Sequence, residues 1–298
     1  MIRKPTTLIL GAGASKDYGF PLGKELVDQI IQKLENPESN GIYKILADLG
    51  HSDSVELGEF VTNLKGSNLD SIDEFLSKQP KYSELAKKCI AIVLIPYEKE
   101  EYLRRNGWYR FLVNRLFEGI TKNQFHHNQL SIITFNYDRS LECYLKNSFR
   151  YTFGVNDSEV ERCLAFIDIV HVYGQLGRLS GVGNDSRVYS PSLVPELVRR
   201  AAGQIVTVQE LLGNKNKIND IAGILKKKEN WVYFFGFGFS DLNLDIIRSK
   251  DYSFAQIIGT SIGFGEAQKK AISEKWKINF PGHSNSILDF IKDNAPLD

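Results

Sequence analysis

A short β-branched and apolar run, Thr6 to Leu10, leads directly into Gly11-Ala12-Gly13-Ala14-Ser15, and from Pro21 the residues Leu22, Leu26, Val27, Ile30, Ile31 and Leu34 recur at helical spacing. Strand, glycine loop and helix in that order resemble the first βα unit of a nucleotide-binding α/β fold. Glycines let the backbone come close to a diphosphate, whose charge is stabilised by unpaired N–H groups at a helix N-terminus. Gly11, Ala12, Gly13, Ala14 and Ser15 are therefore candidate phosphate-binding residues. A tight strand-to-helix turn explains the same glycines equally well. The dehydrogenase fingerprint G-x-G-x-x-G is not met, because its sixth position is Lys16, and this counts against hydride transfer.

Residues 22 to 125 continue in helical pattern, with segments around Leu26 to Leu34, Ile42 to Leu49, Val55 to Leu64, Ser71 to Leu76, Leu85 to Leu103 and Trp108 to Phe117. No strong strand interrupts them, so the block is expected to be a helical insertion lying over the nucleotide crevice. Within it, the Glu98 to Glu101 charge cluster reads as a solvated helix face. His126 and His127 read as loop residues facing water.

Strands return at Leu130 to Phe135, Asp168 to Val172, Trp231 to Phe239 and Ala255 to Ile258. Their carboxyl ends carry Asn136-Tyr137-Asp138, His171 with Tyr173-Gly174, Gly236 to Asp241, and Gly259-Thr260-Ser261. Ligands of open α/β sheets lie at such ends, so Asn136, Asp138, His171, Gly236 and Ser240 are candidate site residues. Each also has a plain structural use: Asp138, Ser240 or Asp241 as helix caps, and His171 as a core residue. Helices are expected near Arg139, over Glu266 to Trp276 and over Ser286 to Ile291.

The 298 residues include 42% hydrophobic and 24% charged residues, enough apolar surface for an ordinary folded core. The net charge of +1 lacks the bias that drives nonspecific nucleic-acid binding, and no direct nucleic-acid contact is expected. Cys89, Cys143 and Cys163 lie far apart, which argues against a disulfide framework and a four-cysteine zinc site. No metal is expected, and a reducing cytoplasm is the expected compartment. The longest apolar runs fall far short of the roughly 18 to 20 residues that span a bilayer. Arg3 and Lys4 before Leu8 to Ala14 imitate a secretory signal only weakly, since Pro5 and the glycines interrupt the apolar stretch.

The ordered set of Gly11 to Ser15 with Gly19-Phe20-Pro21, Thr134 to Asp138, His171 followed by Gly174, and Gly236 to Asp241 resembles the sirtuin superfamily. It is most similar to the sirtuin-like NADase domains of bacterial anti-phage defence systems, and Ser71-Ile72-Asp73-Glu74-Phe75 fits the same group. The resemblance implies one Rossmann-like NAD-binding domain, with a mostly parallel sheet flanked by helices in about 1–21 and 126–298 and a helical insertion in about 22–125. No four-cysteine zinc module follows His171, and Leu22-Gly23-Lys24 replaces the Asp-Phe-Arg of protein deacetylases. Both departures weigh against lysine deacylation.

By resemblance, NAD is the substrate and the nicotinamide–ribose bond is cleaved. Asn136 would orient a water or ribose hydroxyl, and His171 would accept a proton. Asp138 would recognise the nicotinamide amide, Ala12 to Ser15 would cradle the diphosphate, and Gly236 and Ser240 would lie near the adenine-side ribose. Gly259-Thr260-Ser261 is a secondary candidate. Alternatives are a sirtuin-like deacylase or ADP-ribosyltransferase, a silent NAD or ADP-ribose sensor, and an oxidoreductase. Only a short closing helix follows the Rossmann-like elements, so control is expected from homo-oligomerisation or a separate sensor or ATPase subunit. The amphipathic helices of 22–125 would carry much of the subunit contact.

Overall fold

The computed structural model describes the chain except residues 37–40, 180–182, 184, 248–253, 283, 296 and 298. Five parallel strands, β1 (Thr6–Leu10), β2 (Leu130–Thr134), β3 (Asp168–His171), β4 (Asn230–Phe235) and β5 (Phe254–Gly259), form one sheet in the order β3-β2-β1-β4-β5. This is a Rossmann-like arrangement. From β1 the chain builds outward through β2 to β3, then returns to lay β4 against the other side of β1. The reversal puts the carboxyl ends of β1 and β4 side by side, where open α/β sheets have their ligand crevice.

Strands covered on both faces read as continuous apolar runs. β1 and β2 are buried at every position, whereas the edge strand β3 begins exposed at Asp168. The fourth strand ends at Phe235 rather than Phe239. Gly236, at φ 56°, turns the chain out of the sheet, and Phe237 and Phe239 fold back against Phe234.

Between β1 and β2 every described element is helical. The helices Ser54–Ser67 and Ser83–Leu94 each pack on Gly23–Glu35, and the apolar residues of all three belong to the same core as the sheet. The helical run expected over Leu85 to Leu103 is broken. A 3-10 turn, Ile95–Tyr97, interrupts it, and a separate short helix, Glu100–Leu103, follows. Pro96 causes this, since its ring clashes with the preceding turn and it has no N–H to donate.

The break also overturns the reading of Glu98 to Glu101 as a solvated helix face. Glu100 and Glu101 are exposed, but Glu98 lies outside any helix and is fully buried. Four helices go beyond those expected from the sequence: Asp157–Leu164 before β3, then Pro195–Ala202, Val208–Gly213 and Lys215–Leu225 between β3 and β4. Pro195–Ala202 packs on Ser83–Leu94, joining the β3–β4 crossover to the helical insertion.

Candidate functional site

The glycine loop after β1 and the loop after β4 are packed backbone on backbone. Gly11 N–H donates to Phe235 O at 3.0 Å, Gly13 N–H to Gly236 O at 2.9 Å and Ala14 N–H to Gly11 O at 2.9 Å. A Cβ on Gly11 would stand 2.6 Å from Gly236 O, and one on Gly13 would stand 2.7 Å from Gly236 Cα. The glycines thus serve the contact between two strand ends, and the N–H groups of Gly13 and Ala14 are already paired within the protein. Thr260 Oγ1 accepts from Gly236 N at 2.9 Å, so the secondary candidate after β5 buttresses the same loop.

A Cβ at Gly236 would overlap Gly13 and the Ala14 nitrogen, in a backbone region that side chains rarely adopt. Gly236→Ala is expected to cost about 2–4 kcal/mol of stability. Gly238→Ala, with open space at its Cβ position, should cost under about 1 kcal/mol. Urea denaturation of the two variants measures the difference.

Asn136 leaves the end of β2 and reaches back to the glycine loop. Its Nδ2 donates to Gly11 O at 2.9 Å and to Ser15 Oγ at 3.1 Å, which fixes the amide orientation and leaves Oδ1 as the acceptor. Two residues on, Asp138 accepts from the N–H of Ser140 at 3.0 Å and from its hydroxyl; it stands one residue before Arg139, which and not Asp138 is the N-cap of the helix Ser140–Phe153. Tyr109 OH lies 2.7 Å from Ser140 Oγ and extends the network into the helical insertion. Burial raises the Asp138 carboxyl above its ordinary range, against the hydroxyls of Ser140 and Ser15.

His171 closes β3 beside Asn136. Its Nδ1 lies 2.9 Å from Asn136 O and its Nε2 meets Glu142 Oε1. Burial opposes the charged ring. The Glu142 carboxylate, the Asn136 carbonyl and Asp138 outweigh it, so the ring titrates above its ordinary 6.5. Lys217, in Lys215–Leu225, donates to His171 O at 2.9 Å, and its own amine is held below the usual lysine range by burial.

Gly11 to Ser15, Asn136, Asp138, His171 and Gly236 therefore form one connected network. Ser240 caps the next helix, accepting from Asn243 N at 3.4 Å. Sequence reasoning missed Glu142, Lys217 and Asp73 as neighbours of the site. The Ser71 to Phe75 pattern carries no sign that Asp73 faces the end of β2.

Asp73, in the first turn of Ile72–Lys78, accepts a hydrogen bond from Tyr137 OH and joins the helical insertion to the residue between Asn136 and Asp138. The residue keeps a partly exposed edge, yet burial of its carboxyl pushes the pKa up to about 6 against the Tyr137 hydroxyl and its own backbone N–H. A carboxyl raised in the folded state favours folding below its unfolded value of 3.8, and this contribution is lost as pH rises through about 6. Asp73→Asn, which keeps an acceptor for Tyr137, should raise the melting temperature at pH 7.5 and leave it nearly unchanged at pH 4. Thermal melts at the two pH values give the test.

Behind Asp138, the buried guanidinium of Arg139 is paired through Nε and Nη2 with Glu98, at 2.9 and 2.7 Å. It also donates to the carbonyls of Gly177 and Arg187, at 2.9 and 2.7 Å. Arg187 bonds the same Glu98 carboxylate. This cluster straps the segment after β3 across the start of Ser140–Phe153. Tyr189, on the strap, has its ring 5.9 Å from the Arg139 guanidinium.

Among the described residues, no group of three or more His, Cys, Asp or Glu side chains is placed to hold a metal ion, and no helix is long and apolar enough to cross a membrane. No protein-family model and no curated protein matches the chain.

Proposed function

We propose that the protein hydrolyses NAD at the nicotinamide–ribose bond, and that it acts as the NAD-depleting effector of a bacterial anti-phage defence system. The observation that carries this reading is that Asn136 joins the two candidate catalytic elements: its carbonyl meets the His171 ring and its carboxamide is held by the glycine loop. A dinucleotide laid across the carboxyl ends of β1, β2 and β4 would put its diphosphate against Ala12 to Ser15, where the Gly13 and Ala14 N–H groups would have to leave their bonds to Gly236 and Gly11 to reach it. Asp138 would face the nicotinamide amide, and Gly236 and Ser240 the adenine-side ribose. Asn136, Asp138 and His171 are 9%, 7% and 8% exposed, so the crevice must open to admit NAD.

The reaction requires an oxocarbenium-like ribose to be stabilised while neutral nicotinamide departs. Asn136 Oδ1 would orient the water or ribose hydroxyl without adding charge, and His171 would serve proton transfer. The protein would work in the cytoplasm without a resident metal. Homo-oligomerisation or a separate sensor or ATPase subunit would restrain a reaction that exhausts the cell's own NAD. The test is incubation of the purified protein with NAD, alone and with a co-expressed partner, following nicotinamide and ADP-ribose. Release of both supports the proposal. Binding without nicotinamide release would make the protein a sensor, and consumption of an acyl-lysine peptide or a protein acceptor would make it a deacylase or transferase.

A further inference from the structure

The pairing of His171 with Glu142 deepens the proposed function, on which its catalytic consequence rests. Nδ1 of His171 faces the Asn136 carbonyl, an atom that only accepts, so Nδ1 carries a hydrogen. The other ring nitrogen, Nε2, is occupied by the Glu142 carboxylate. Any proton that the ring exchanges through Nε2 must therefore pass Glu142. Glu142 lies in the first turn of Ser140–Phe153, the turn whose Ser140 binds Asp138, so one element orients both groups. The Glu142 side chain is 21% exposed against 7% for that of His171, which makes the carboxylate the half of the pair nearer solvent.

Among the described residues, two other charged groups face His171. Asp138 stands on the β2 loop, and Lys217 approaches from Lys215–Leu225, bonded to the histidine's own carbonyl. The two carboxylates favour the charged ring, and the geometry gives both of its N–H groups an acceptor. A ring in this state has no lone pair to offer a water molecule.

We infer that the Glu142 carboxylate accepts the reaction's proton, and that His171 positions it. In the step, the water oxygen forms a bond to ribose C1′. The C1′–N bond breaks and its electron pair passes to the pyridinium nitrogen, which leaves as neutral nicotinamide. One water proton goes to Glu142, and the other remains on the new hydroxyl of ADP-ribose. His171 stays an imidazolium and holds the carboxylate in place.

The experiment combines ring NMR with kinetics. In the wild-type protein with labelled histidine, both nitrogens of His171, assigned by its loss in His171→Asn, should be protonated at pH 7. In Glu142→Gln the titration midpoint should fall, and kcat should fall at least about 100-fold with KM little changed. Glu142→Asp, which keeps the charge, should recover part of kcat. A wild-type ring that is neutral at pH 7, or a Glu142→Gln enzyme within about threefold of wild-type kcat, overturns the inference and leaves NAD hydrolysis standing. A wild-type protein that does not cleave NAD even with its partner overturns the proposed function instead, and the ring titration then decides the pairing by itself.

Discussion

His171→Ala should lower NAD turnover at least about 100-fold, the usual scale for losing a positioned acid–base group, and Asn136→Ala should do the same. The two losses have different origins. Removing the imidazole leaves the Glu142 carboxylate without its partner at the end of β3, so the proton-accepting group loses its position. Removing the carboxamide frees Gly11 O and Ser15 Oγ and takes away the acceptor that would orient the nucleophile. The bond between the two runs to the Asn136 backbone carbonyl and survives the alanine substitution, but both side chains would serve the same nucleophile-activating step, so the double variant should lose less than the product of the two single losses. Nicotinamide release, measured on variants whose circular dichroism shows them folded, checks all three. A folded His171→Ala protein with near wild-type turnover would sink the assignment.

Glu98→Ala should destabilise the fold by about 3–5 kcal/mol, the cost of removing one partner from a buried ion pair. Arg139 and Arg187 are both buried and share this carboxylate, so its loss leaves two guanidinium groups close together with no countercharge. Burial and the neighbouring Arg139 already lower the Arg187 pKa, with Glu98 opposing them. The same change should loosen the strap that carries Arg187 and Tyr189, because Arg139 holds the carbonyls of Gly177 and Arg187. Urea denaturation gives the stability change. A loss below about 1 kcal/mol would mean that the cluster behaves like a surface pair.

The central strands were legible in the sequence because β1, β2 and β4 are covered by protein on both faces and so read as short, largely apolar runs broken only by Thr, Ser or Asn. Their carboxyl ends followed from the same runs, and with them the positions of Asn136, Asp138 and His171. The helical character of the insertion was legible too, since the 3.6-residue period records which face of each helix is buried.

What the glycine loop does was settled only by the fold. Two glycine-bearing loops can demand glycine from one another only once β4 lies beside β1, and the sequence gives no strand order. Glu98 and Glu142 were hidden for a related reason. A charged residue looks the same in sequence whether it faces water or an arginine, and the partners here stand 41 and 89 residues from Glu98 and 29 from Glu142. Local pattern determined which residues are buried within an element. The Pro96 break, the strand order and the packing of Ser140–Phe153 decided which polar groups meet, because burying a charge is favourable only where the fold has brought its counterpart into reach.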